Sequence, residues 1–296
     1  MTLQLGGQLG FRLLRTICKQ PQNVPRRDDL RPEPHGAARI ERFLGPDVWQ
    51  MFAGHRVLDF GCGHGAEAIA AARYGAEHVW GIDIQEHRLA AARQCAAEEG
   101  VADRCTFLNA QTQDGEIAEL AGAIDYAYSI DSFEHCDRAD VALDGLFELL
   151  VPGGQLLISF GPPWKNPYGG HTRYFCRWPW IHLLFAEETI LAVRALYRDD
   201  GARRFEEVEG GLSRMTVSRF LRLIEDSPFH RDLFRAVPVS TRFLDSRRPW
   251  HCLLTNRLLR EYFTSVVLCR LTRPLAGIAL HGLAAASAEP STSAAR

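Results

Sequence analysis

The chain has 296 residues, 46% of them hydrophobic and 24% charged, with a formal net charge of −2 and a pI of about 6.6. That length supports one large domain with a substantial core, or one domain plus an elaboration. The near-neutral balance supplies no global positive field for nucleic acid.

In chain order, residues 1–20 can form a short amphipathic helix, with Leu9, Leu13, Leu14 and Ile17 opposite the arginines. It is expected to pack on the main domain, and a peripheral membrane contact stays open. No continuous apolar run there resembles a signal peptide, and Pro274 to Ala288 is too short and too rich in Ala and Gly to span a bilayer. Eight cysteines (18, 62, 95, 105, 136, 176, 252 and 269) show neither CxxC pairs nor zinc spacing. They are expected as free thiols of a cytoplasmic, reducing compartment. Pro21, Pro25, Pro32 and Pro34 mark residues 20–36 as a linker, so 1–36 forms an N-terminal unit. Helices at Ala37–Leu44 and Pro46–Phe52 then lead into the first strand.

From there strand and helix alternate. Strands are expected near 56–60, 78–83, 104–109, 124–130 and 154–160, and helices near 65–74, 86–99, 114–121 and 138–150. Alternation of this kind predicts an α/β fold with a doubly wound, mostly parallel sheet over 37–160 and ligands beyond the carboxyl ends of its strands. Residues 161–171 form a Pro/Gly loop crowded with aromatics, followed by helices at 181–197 and 215–226, so 161–230 reads as an inserted helical cap. Strands near 232–238 and 263–271, with a short helix at 253–260 between them, would close the sheet as an antiparallel pair within 231–274. The small polar tail, 275–296, is expected to be disordered.

One stretch organises this plan: Val57-Leu58-Asp59-Phe60-Gly61-Cys62-Gly63-His64-Gly65, an apolar run feeding three alternate glycines ahead of an Ala-rich helix. Glycines there permit positive φ and close approach to a ligand, and the helix behind aims unpaired N–H groups at it. A nucleotide-like cofactor is the natural occupant. Asp83 lies 18 positions after Gly65, where a carboxylate can accept both hydroxyls of a ribose. To this point a nicotinamide oxidoreductase stays open, since Gly61, Gly63 and Ala66 fit G-x-G-x-x-A.

Three further segments join the glycine loop: Gly81-Ile82-Asp83-Ile84, Ser129-Ile130-Asp131-Ser132-Phe133-Glu134-His135, and Val151-Pro152-Gly153-Gly154 ahead of the fifth strand. In this order and spacing, residues 37–160 resemble the class I S-adenosylmethionine-dependent methyltransferases, of the type 11/12 kind. The resemblance implies a Rossmann-like, seven-stranded sheet and S-adenosyl-L-methionine as cofactor. It places Asp59, Gly61 and Gly63 at the methionine end of the cofactor, Asp83 on the ribose and Ile84 on the adenine face. Ala110 and Gln111 would meet the adenine, Gln111 standing where the family often has an acid, and Asp131 would edge the pocket. Glu134-His135 belongs to a divalent-metal site in some relatives; here it is expected as pocket wall, with no metal.

Methyl transfer from a sulfonium needs alignment of donor and acceptor, plus a base where the acceptor is a hydroxyl. His171, in the loop beyond the fifth strand, is the candidate general base, with a backbone-bonded loop histidine as the alternative. Trp164, Tyr168 and Arg173 are candidate substrate contacts, with cap core or solvated surface as the alternative for each. His182, inside an apolar helical run, is expected as a packing histidine. The reading is a methyltransferase for a small-molecule hydroxyl acceptor (a sugar, lipid or secondary metabolite), with no nucleic-acid partner. An amino-group methyltransferase, an oxidoreductase and a catalytically silent scaffold of the same fold are the rivals.

Overall fold

A computed structural model describes residues 4–18, 36–198, 201–208, 211–238 and 256–275. Seven strands, β1 (Arg56–Phe60), β2 (His78–Asp83), β3 (Cys105–Asn109), β4 (Ile124–Ile130), β5 (Leu150–Phe160), β6 (His230–Pro238) and β7 (Thr264–Thr272), form one sheet in the order β3-β2-β1-β4-β5-β7-β6. Pairing is parallel from β3 through β5. β7 runs antiparallel to both β5 and β6. The order reverses at β1, so the ends of β1 and β4 face the crevice where ligands enter a doubly wound sheet.

Eleven helices are placed among the described residues: α1 (Gly7–Ile17), α2 (Gly36–Leu44), α3 (Val48–Phe52), α4 (Ala66–Arg73), α5 (Glu86–Glu98), α6 (Asp114–Ala118), α7 (Ala139–Leu149), α8 (Ile181–Leu184), α9 (Glu187–Arg194), α10 (Val217–Asp226) and α11 (Arg257–Phe263). β1 is central and buried on both faces, which is why Val57-Leu58 reads as a continuous apolar run rather than an alternation. Val57, Phe52, Ala68, Ala71 and Ala72 pack on one face of the sheet. Leu58, Leu143, Leu146, Leu156, Phe220 and Ile224 pack on the other. α10 therefore lies on the sheet, although 161–230 was expected as a single cap.

Small residues set the approach of helix to sheet near the site. A Cβ built on Gly81 would lie 2.6 Å from the Phe107 ring and 2.9 Å from Cys62 Sγ. Gly81→Val should therefore destabilise the fold by about 2 kcal/mol through overpacking, read as a lower urea midpoint with an unchanged slope.

α1 joins the cap rather than the main sheet. Its Leu14 is fully buried with Phe175, Ile181, Phe185, Ile190 and Phe205 in a separate core. Leu5 bridges Phe185: its N–H donates to Leu184 O and its carbonyl accepts from Ala186 N, each at 2.9 Å. This pairing draws the backbone out of helix at Phe185, so the single helix expected over 181–197 divides into α8 and α9. Docking also brings Cys18 beside Cys176, and the two form a disulfide with a Cα–Cα distance of 4.5 Å. The expectation of free thiols fails for this pair and stands for Cys62, Cys95, Cys105, Cys136 and Cys269. A bridge of this kind persists in oxidising surroundings. The free-thiol argument for a reducing compartment therefore does not hold for this pair. No helix among the described residues is long and apolar enough to cross a membrane. Cys252, the linker over 19–35 and the tail beyond Leu275 lie outside the described residues.

Candidate functional site

After β1 the chain turns through Gly61, Gly63 and Gly65 at φ of 80°, 51° and 77°. The N–H groups of Gly61 and Cys62 both donate to Ile82 O, at 2.8 and 3.1 Å, which ties the turn to β2. Gly61 is required by contact: a Cβ there would lie 2.2 Å from Ser132 Oγ. Gly63 is different, since beyond its chain neighbours no heavy atom among the described residues lies within 4 Å of an added Cβ. The loop is thus open beside Gly63.

Asp83 is fixed from both sides. Its Oδ2 accepts the Gly63 N–H and its Oδ1 the Gln85 N–H, each at 2.9 Å. A carboxylate has about four acceptor positions, so each oxygen keeps one for a ligand hydroxyl. Ile84 beside it is 56% exposed. Ala110 N donates to Asp83 O at 3.0 Å, and Gln111 N donates to Asn109 Oδ1 at 2.9 Å. Both residues are exposed next to the β2 end.

Carboxylates crowd the other side of the loop. Asp59 is 3% exposed, and its Oδ2 meets no hydrogen-bond donor among the described residues. Burial, then the charge of Glu67, push its carboxyl well above the usual range, while the Tyr128 hydroxyl and Arg39 oppose the rise. Glu67, in the first turn of α4, and Asp131, just beyond β4, are joined by Arg39 of α2, whose Nη1 and Nη2 lie 2.8 Å from Glu67 Oε1 and Asp131 Oδ2. Burial works against the Arg39 charge, yet the two carboxylates hold its pKa above the ordinary arginine value. Asp131 adopts φ 52°, a strained value for a residue with a side chain.

Beyond the ends of β4 and β5 lies a second cluster. Glu134 is buried and accepts the Gly161 N–H at 3.4 Å, and its Oε1 stands 4.0 Å from His135 Nε2. The His135 and His171 rings meet edge to face at 5.2 Å. His171 has φ 49°. Both histidines line a cavity of about 210 Å³ with Tyr174, Phe175, Arg194 and Phe205. Among the described residues, no group of three or more His, Cys, Asp or Glu side chains is placed to hold a metal ion.

Three candidates fall elsewhere in the cap. Trp164 packs into the cap core, its ring 4.8 Å from His182 and 5.1 Å from Phe205. Tyr168 donates its hydroxyl to Arg177 O at 3.4 Å, and the Arg173 guanidinium lies 5.0 Å over its ring, exposed. None of the three lines the His171 cavity.

His182 is a packing histidine, its Nε2 2.6 Å from Trp164 O. Burial pushes its pKa down to about 4, against the opposing bond to that carbonyl. An unfolded imidazole protonates near 6.5, so between about 6.5 and 4 the unfolded chain binds the extra proton. Stability contributed by the neutral form is complete above that window and falls by about 3 kcal/mol as pH drops through it. Urea midpoints of wild type and His182→Gln at pH 7.5 and 4.5 test this: the acid-sensitive difference should disappear in the variant.

Arg39, Glu67 and Tyr128 were not legible as site residues. Glu67 carried a signal, a carboxylate in the first turn after a glycine loop; Arg39 and Tyr128 carried none.

A family model for the methyltransferase domain matches residues 57–154. O-methyltransferase rstn1 of Aspergillus nomiae is 33% identical over 41% of this chain and 52% of its own length. A 24-methylenesterol C-methyltransferase 2 of Oryza sativa is 33% identical over 42% of this chain and 33% of its own. The chain thus spans about half or less of these relatives. The crystal structure of the [4+2]-cyclase SpnF matches 93% of this chain and 98% of that one, with a TM-score of 0.50 and 17% identity, a likeness of fold. With the glycine loop, Asp83 and the sheet order, these matches show that residues 57–154 form a methyltransferase domain on a Rossmann-like sheet.

Proposed function

We propose that the protein transfers a methyl group from S-adenosyl-L-methionine to a hydroxyl of a small-molecule acceptor held under the cap. The observation that carries the reading is the carboxyl cluster at the glycine loop, where Glu67 and Asp131 share Arg39 and the buried Asp59, its pKa raised by burial and by Glu67, lies near them and Asp83. A donor with a sulfonium and an ammonium supplies the positive charge that such a set lacks. The orphaned Oδ2 of Asp59 and the open space over Gly63 fit the same group.

In this reading Asp83 accepts the ribose hydroxyls, Ile84 packs on the adenine, and the Gln111 carbonyl with Ala110 receives the adenine edge. Gly61, Gly63, Asp59 and Asp131 surround the methionine end. When bound, the donor supplies an activated methyl that leaves a neutral thioether behind. The acceptor would sit beside His135 and His171, and its hydroxyl proton would pass to His171. The cap excludes water, and the cavity of about 210 Å³ favours a small acceptor or a small part of one.

The test is calorimetric titration with S-adenosylmethionine and S-adenosylhomocysteine, with NADH and NADPH as controls, followed by a screen of hydroxyl acceptors for a one-methyl mass shift. Binding of the first pair alone and a shifted product support the reading. Nicotinamide binding, or no binding by a folded protein, overturns it.

A further inference from the structure

Far from the glycine loop, four arginines converge on an open groove of about 620 Å³ between α10, β6 and α11: Arg222, Arg231, Arg257 and Arg260. Leu221 and Phe234 line it as well, and the Arg260 guanidinium lies 5.8 Å from the Phe234 ring centre. Glu225 is the one carboxylate lining it, 3.9 Å from Arg231 at an exposed position where an ion pair is weak. Glu261, buried beside the groove, accepts the Ser218 N–H at 2.6 Å. No described carboxylate forms an ion pair with Arg222, Arg257 or Arg260. β6 stands four strand positions from β1, about 19 Å at ordinary strand spacing, so the groove is separate from the cofactor pocket.

Four guanidiniums against one carboxylate in a single concavity repel one another, and a multivalent anion relieves that repulsion. A phosphate, with several oxygens and more than one charge, suits several guanidinium forks better than a single carboxylate does. We propose that this groove binds a phosphate-bearing ligand, its phosphate clasped by Arg222, Arg231, Arg257 and Arg260 and its apolar remainder resting on Leu221 and Phe234. The phosphate can belong to a soluble molecule or to a lipid headgroup, and the experiment separates these sources.

The full chain and an Arg222→Gln/Arg257→Gln variant are titrated calorimetrically with pyrophosphate, and both are sedimented with phosphatidylglycerol or phosphatidylcholine vesicles. Both substituted side chains are exposed, so the variant should fold and bind S-adenosylmethionine as the wild type does. Pyrophosphate should bind the wild type in a salt-sensitive manner and the variant at least about tenfold more weakly. Capture of the wild type alone by phosphatidylglycerol, with release by pyrophosphate, assigns a lipid headgroup. Pyrophosphate binding without vesicle capture assigns a soluble ligand. Binding of neither, or equal binding by the variant, overturns the proposal.

Discussion

Asp83→Ala is expected to lower affinity for S-adenosylmethionine about a thousandfold, seen in calorimetry as loss of heat at concentrations that saturate the wild type. Both carboxylate oxygens are held by backbone N–H groups at 2.9 Å, so the free positions on each are aimed before any ligand arrives. A hydrogen bond to a charged acceptor contributes roughly 1.5–3 kcal/mol, and two to a ribose together about 4 kcal/mol, which is a factor of about a thousand. Asp83→Asn, which keeps one acceptor and loses the charge, should fall between. Because Asp83 also anchors Gly63, thermal melting of each variant separates a loosened loop from a lost ligand contact. Unchanged affinity would remove Asp83 from the site.

His171→Ala should cut turnover by about 100- to 10,000-fold, the range for losing a positioned general base. Affinity for the cofactor should stay at the wild-type value, since His171 stands with His135 beside the cap cavity rather than on the glycine loop. A base acts only when unprotonated, so wild-type turnover should fall on acidification, and the variant should lose that dependence. Added imidazole should restore part of its rate if the missing group is a base. A histidine that only braces the loop would give a smaller loss, no change in the pH profile and no rescue. Full activity in the variant ends the assignment.

Legibility in the sequence followed locality. The glycine loop, the acid ending β2 and the Pro-Gly-Gly near the start of β5 are short-range signals, because a turn, a strand end and a helix start each impose residue types on adjacent positions. The alternation that predicted the doubly wound sheet is local in the same sense, repeated. Arg39 acts through partners 28 and 92 positions away, and nothing in its helix distinguishes it from Arg42. The break at Phe185 is set by Leu5, whose backbone pairing overrides a helical pattern that is sound by itself. Trp164, Tyr168 and Arg173 show a further limit: composition marks a segment as aromatic, but only packing decides which rings face a core and which a cavity. Tyr128 was invisible for the same reason, reading as one more apolar position of β4.

The bridge between Cys18 and Cys176, 158 positions apart, closes the methyltransferase sheet from β1 through β5 inside one covalent ring. A ring survives a single cut. If a protease cleaves the backbone once between residues 19 and 35, the fragments should migrate as one species on a denaturing gel without reductant. They should separate once a thiol is added. The same ring means that cutting there cannot release α1 from the cap, so the helix stays tethered to the segment ahead of α8 even when the connection to α2 is severed.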